Sequence, residues 1–192
     1  YDKNAEVPDA LLSLGFGFAE VGTLTPKGQA GNPKPRIFRL ERDRAVINRL
    51  GFNNEGHAAA LARLSARGNR SGIVGVNIGA NKDSPDRIAD YAQMTRMMAP
   101  LASYLTVNIS SPNTPGLRAL QTRAALEDLL GQVMVFAEAQ TRTHGRRPVF
   151  LKVAPDLDED EVRAIAETVV AQKIDALIVS NTTVDRPDYL QA

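Results

Sequence analysis

YLTVNISSPNTPGL, residues 104–117, carries four apolar or β-branched positions into an asparagine, then into a stretch of serine, proline, asparagine, threonine and glycine. A short run with no polar alternation is the mark of a strand covered on both faces, as in parallel sheets. The same pattern recurs at 72–78 (GIVGVNI), 149–153 (VFLKV) and 176–179 (ALIV). Helical periods lie between these runs. Leu126, Leu129, Leu130, Val133 and Ala137 form one apolar stripe after Thr122. Val162, Ile165, Ala166, Val169 and Val170 form another, with Asp158 and Glu161 spaced as a capping box. A weaker stripe passes through Ala58, Leu61 and Leu64, and a further helix spans 88–98, where Met94, Met97 and Met98 read as packing residues.

Strand and helix alternating at these lengths give βαβ units, hence an open doubly wound sheet or a (β/α)₈ barrel. Asn77, Asn108, Lys152 and the pair Ser180 and Asn181 each fall within or at the C-terminal end of a different strand. A barrel aims that edge of several strands at one point, and its catalytic groups come from there. The expected class is therefore an α/β (β/α)₈ barrel in a single domain, 1–192. About four βα units are visible against the ~250 residues of such folds, so the closing strands are expected outside this chain. Two further strands or a β ribbon are expected at 17–23 and 36–40, with a surface loop at 25–35.

Composition narrows the function classes. The chain has 192 residues, 23 Lys plus Arg against 22 Asp plus Glu, and no cysteine. That balance gives no basic footprint for nucleic acid, and the missing thiols remove disulfides, thiolate zinc and a Cys nucleophile. No run approaches the 18 apolar residues of a membrane span. The two histidines, His57 and His144, fall near helix ends and read as surface residues, which argues against a Ser-His hydrolase. Neither a dinucleotide fingerprint nor a P-loop occurs.

What remains is a set of polar groups in apolar surroundings. A buried amide left unpaired costs roughly 1–3 kcal/mol. Asn77 and Asn108 therefore need partners, supplied either by neighbouring backbone or by a shared polar ligand. Lys152, set between Leu151 and Val153, needs an anion, an electron-rich ring or a path to solvent. Ser110 and Ser111 are open to a turn reading as well as a chemical one.

The stretches NISSPNTPG (108–116) and NRLGFNN (48–54) resemble dihydroorotate dehydrogenase, specifically its class 2, quinone-dependent branch. DKNAE (2–6), EVGTLTP (20–26), NIG (77–79) with Asn81 and Lys82, KVAPD (152–156) and SNTT (180–183) follow in the family's order. The resemblance implies a barrel holding FMN that oxidises dihydroorotate to orotate in pyrimidine synthesis. It implies Ser111 as the base for the C5 proton, where class 1 carries Cys, with the proton passed on through water beside Thr114. Hydride would leave C6 for flavin N5.

By the same resemblance, Asn48, Arg49, Leu50, Gly51, Phe52, Asn108, Asn113, Asn181 and Thr182 would contact substrate. Thr23, Asn77, Asn108, Lys152 and Ser180 would hold FMN, and Lys3 would touch both. The family commonly has Thr where Ser180 stands. Quinone would be the oxidant, reached through an N-terminal membrane-docking segment expected to precede Tyr1. The FMN-phosphate loops would follow Ala192, and the location would be peripheral on the cytoplasmic face of a bacterial inner membrane. The alternatives are a related FMN barrel using fumarate or NAD, and a catalytically silent barrel fragment.

Overall fold

The computed structural model describes residues 2–191. The chain opens with α1 (Pro8–Ser13), β1 (Phe18–Leu24), β2 (Lys27–Gln29), β3 (Ile37–Leu40), β4 (Ala45–Asn48) and β5 (Asn54–Gly56). It continues with α2 (His57–Arg67), β6 (Ile73–Ile78), α3 (Arg87–Met98), β7 (Tyr104–Asn108) and a 3-10 turn at Leu117–Gln121. Then come α4 (Arg123–His144), β8 (Val149–Lys152), α5 (Glu159–Ala171) and β9 (Ala176–Ile178).

β1, β6, β7, β8 and β9 form one parallel sheet in that order. A doubly wound sheet reverses its strand order at a switch point, whereas a barrel adds each strand beside the last. The uninterrupted succession is the barrel's. Two small antiparallel pairs, β2 with β5 and β3 with β4, lie outside it.

The two faces of the sheet divide by chemistry. Val21, Val74, Val76, Ile78, Leu105, Val107, Val149 and Leu151 point one way and are almost wholly buried. The paired register puts Glu20, Gly75, Asn77, Tyr104, Thr106, Asn108, Phe150 and Lys152 on the other face, toward the barrel interior. That interior is aromatic at the N-terminal ends of the strands, where Tyr104 stacks on Phe150 with centroids 4.7 Å apart and meets the edge of Phe18 at 6.3 Å. Toward the C-terminal ends it becomes polar.

Gly75 makes room for that aromatic floor. A Cβ there would stand 2.0 Å from Cζ of Tyr104, whose ring cannot retreat through Phe150. Gly75→Ala is expected to cost about 1–3 kcal/mol through overpacking. The measurement is the denaturant midpoint, which should fall with little change in slope; an unmoved midpoint would contradict it.

The helices follow their stripes, with adjustments. Leu126, Leu129, Leu130, Val133 and Ala137 of α4 are all buried, as are Met94 and Met98 of α3. α5 has the full capping box, Asp158 accepting from the Glu161 amide at 2.8 Å and Glu161 accepting from the Asp158 amide at 2.9 Å. Its buried face is narrower than expected, however. Ile165, Thr168 and Val169 are covered, while Val162, Ala166 and Val170 of the expected stripe are exposed. In α2 the buried positions are Ala60 and Leu64, with Leu61 half-buried and Ala58 exposed, one step round from the expected stripe. The expected loop at 25–35 contains β2, and 36–40 is half of a hairpin whose return strand is β4. His57 is half-buried rather than free, its Nδ1 2.6 Å from the carbonyl oxygen of Pro26.

Candidate active site

A cavity of about 240 Å³ opens where the C-terminal ends of β1, β6, β7 and β8 meet the loop after β9. Lys3, Thr23, Asn48, Leu50, Gly51, Phe52, Asn77, Asn108, Ser111, Asn113, Lys152, Asn181 and Thr182 all line it. Two expected residues do not. Arg49 turns outward, donating to the Pro35 carbonyl at 2.8 and 3.0 Å and lying 5.6 Å over the Phe38 ring. Ser180 bonds the Asn181 carbonyl at 3.1 Å and stays out of the lining. Glu20 and Gly22 line the cavity although neither was singled out from the sequence.

Local irregularities aim these groups. β1 shifts register between Val21 and Leu24, both wholly buried on the outer side. Gly22 and Thr23 thus share the inner side, where strict alternation would have sent Thr23 outward. A Cβ at Gly79 would stand 2.6 Å from Cγ2 of Thr23 and 3.0 Å from the Phe52 ring, so glycine there lets both side chains close on the cavity. The segment before α1 is fixed by Asp2, whose carboxylate accepts from the amides of Asn4, Glu6 and Val7, and whose carbonyl accepts from Gly22 at 2.8 Å. Lys3 is thereby held at the rim.

The amides satisfy one another across strands. Asn77 donates to Glu20 at 2.8 Å and accepts from the Thr23 hydroxyl at 2.7 Å. Asn108 donates to Thr23 at 2.9 Å and accepts from the Ser110 hydroxyl at 2.7 Å. The partners thus come from within the protein, mostly from side chains rather than the backbone, and the amides line a common cavity.

The cations are left without counter-charges. Among the described residues neither Lys3 nor Lys152 makes an ion pair. Burial, with Lys152 and Arg36 nearby, holds the Lys3 ammonium below the usual lysine range. A lowered lysine pKa brings loss of the proton to lower pH, and an anionic ligand that needs the protonated form binds less well as pH rises through the lowered value. Affinity of the cavity for an anionic ligand is therefore expected to weaken between neutral and alkaline pH, and Lys3→Gln to flatten that profile. Identical profiles for the two proteins would contradict this.

The loop after β7 holds Ser111 rigidly. Ser111 is 5% exposed, and its oxygen accepts from the Asn113 backbone amide at 3.2 Å, which leaves its own proton free to donate. Asn113 reaches the Asn48 carbonyl at 3.4 Å, and Asn181 donates to the Ser110 carbonyl at 3.0 Å. Arg118 donates to the same carbonyl at 3.3 Å and pairs with Asp156 at 2.9 Å. A hydrogen bond from Thr183, together with Arg118, keeps the Asp156 carboxyl below the usual range, tying the loops after β8 and β9 together. Thr114 Oγ1 is buried with no partner among the described residues.

The dihydroorotate dehydrogenase family profile matches residues 1–191. The chain belongs to this family. Dihydroorotate dehydrogenases (quinone) of Allorhizobium ampelinum and Brucella ovis are 67% and 66% identical to it over 187 residues, 97% of this chain and 52% and 51% of theirs. The chain thus spans about half the length of the curated relatives it matches. Two crystal structures of DHODH from Eimeria tenella, one in complex with ferulenol and one ligand-free, superpose with TM-scores of 0.93 at 42% identity. They are covered to 57% and 59% of their length by the whole of this chain. The five-stranded sheet is accordingly a sector of the family's TIM barrel.

A family flavin finds suitable groups in this cavity. Two unpaired cations and the spare N–H groups of Asn77 and Asn108 offer donors to a heterocycle rich in carbonyl acceptors that gains negative charge on reduction. Glu20 could have been found in the sequence as a carboxylate at an inward position of an otherwise apolar strand. Gly22 carried no such signal.

Proposed function

We propose that residues 1–192 supply the ring-binding and proton-removing half of an FMN-dependent dihydroorotate dehydrogenase that passes its electrons to quinone. The observation that carries this reading is the convergence of Ser111, Lys3, Lys152 and the five asparagines Asn48, Asn77, Asn108, Asn113 and Asn181 on one cavity.

FMN would supply the hydride acceptor at N5 and hand the electron pair to quinone. This chain's residues do the rest. Lys152, Lys3, Asn77, Asn108 and Thr23 hold and orient the ring. Asn48, Asn113, Asn181 and Thr182, with the Leu50, Gly51 and Phe52 turn, grip the pyrimidine and its carboxylate. Ser111 Oγ takes the C5 proton as hydride leaves C6. A hydroxyl is a weak base at neutral pH, so the proton must move on. The unpartnered Thr114 Oγ1 in the same loop is a natural anchor for a water that accepts it. Arg49 and Ser180 act from behind the lining, Arg49 by bracing the turn that ends in Phe52 and Ser180 by holding the Asn181 backbone.

No helix among the described residues is long and apolar enough to cross a membrane. Likeness to the quinone-type relatives, and not this absence, supports a peripheral place on the cytoplasmic face of a bacterial inner membrane, where quinone is the oxidant. Steady-state assays with dihydroorotate and separate acceptors test the oxidant: turnover is expected with a quinone analogue, and a preference for fumarate or NAD would replace the quinone reading with another branch of the family.

A further inference from the structure

The hydrogen bonds that satisfy the cavity amides run in one direction, and they begin at a carboxylate. Glu20 Oε1 accepts from Asn77 Nδ2 at 2.8 Å, and Glu20 Oε2 accepts from the Thr106 hydroxyl at 2.8 Å. A carboxylate can only accept, so it forces the amino end of Asn77 toward β1 and leaves the Asn77 oxygen for the Thr23 hydroxyl. Having donated its one proton, Thr23 can only accept from Asn108 Nδ2, which in turn leaves the Asn108 oxygen for Ser110. Each link fixes the next. Both asparagines are left with one spare N–H, and neither presents a carbonyl to the cavity.

We propose that Glu20 is a positioning residue, which sets the donor polarity of Asn77 and Asn108 through Thr23 so that the cavity offers N–H groups to the acceptor edge of its ring ligand. This deepens the flavin reading and rests on it. Glu20 sits on β1, Asn77 on β6 and Asn108 on β7, so one side chain on the first strand sets the amide orientation on the next two. Tyr104 lies beneath it, where burial first and the neighbouring Glu20 second push the phenol above its usual range.

The test separates reach from charge in the full-length protein. Glu20→Gln keeps the length and can still turn its oxygen to Asn77, because the Thr106 hydroxyl can accept from the new amide nitrogen. Glu20→Asp keeps the charge but is one methylene too short to span Asn77 and Thr106 together. FMN dissociation constants from flavin fluorescence are expected to rise no more than about 3-fold in E20Q and about 10-fold or more in E20D. Thermal midpoints of the two flavin-free variants should agree. An E20D constant equal to the parent's, an E20Q that binds worse than E20D, or a loss of FMN that only follows a loss of apo-protein stability would each overturn the proposal. A parent protein that binds no FMN would instead overturn the flavin reading itself.

Discussion

Ser111→Ala is expected to slow reduction of bound flavin by dihydroorotate by about two to four orders of magnitude at neutral pH, the span that a positioned general base contributes. The reason lies in the loop after β7. Ser111 is buried, its oxygen is polarised by the Asn113 amide, and its proton is uncommitted. The loop itself does not depend on the hydroxyl, because Asn181 and Arg118 anchor the Ser110 carbonyl and Asn113 reaches Asn48. The variant should therefore still bind flavin and orotate. Anaerobic stopped-flow separates the steps. A large fall in the single-turnover rate with orotate affinity kept within a few-fold supports the base, and an unchanged rate removes Ser111 from that role.

Lys152→Met should have the next largest effect, and on a different quantity. Lys152 pairs in register with Asn108, faces the cavity and has no carboxylate partner among the described residues. A half-buried cation with no counter-charge is a cost in the empty protein, so the apo-protein should be as stable as the parent or more so. The cost turns to gain when negative charge arrives. A hydrogen bond to a charged group is worth about 1.5–3 kcal/mol, which on a two-electron couple corresponds to roughly 30–60 mV. The flavin midpoint potential of the variant should fall by that order and its retention of FMN should weaken. A redox titration giving the parent's potential would show that Lys152 does not face the ring.

Much of this site was legible because strand ends are the simplest places to read. An amide, a lysine or a serine at the end of an apolar run has few places to point once the strand order is that of a barrel, and Asn77, Asn108, Ser111 and Lys152 met as expected. The details that failed depend on geometry one residue finer than periodicity. β4 was missed because AVIN is too short to stand out from its charged flanks, and the shift in β1 that carries Thr23, a residue the resemblance did name, to the interior has no signal in the periodicity. Val162 and Val170 fit the helical period of α5, yet periodicity does not say how wide a face its neighbours cover. Arg49 was taken with the turn it belongs to, but its long side chain found a carbonyl and an aromatic ring outside the cavity. Glu20 lay unnoticed because its partners, 57 and 86 residues away, appear only when the strands are laid side by side.

The convergence of these side chains on a flavin and a pyrimidine is tested most directly by the visible spectrum of the full-length protein, titrated anaerobically with dihydroorotate. The oxidised flavin absorption should bleach in proportion to substrate added, with orotate formed mole for mole, and return when a quinone is admitted. A colourless protein, or a flavin band that dihydroorotate leaves untouched, would contradict it.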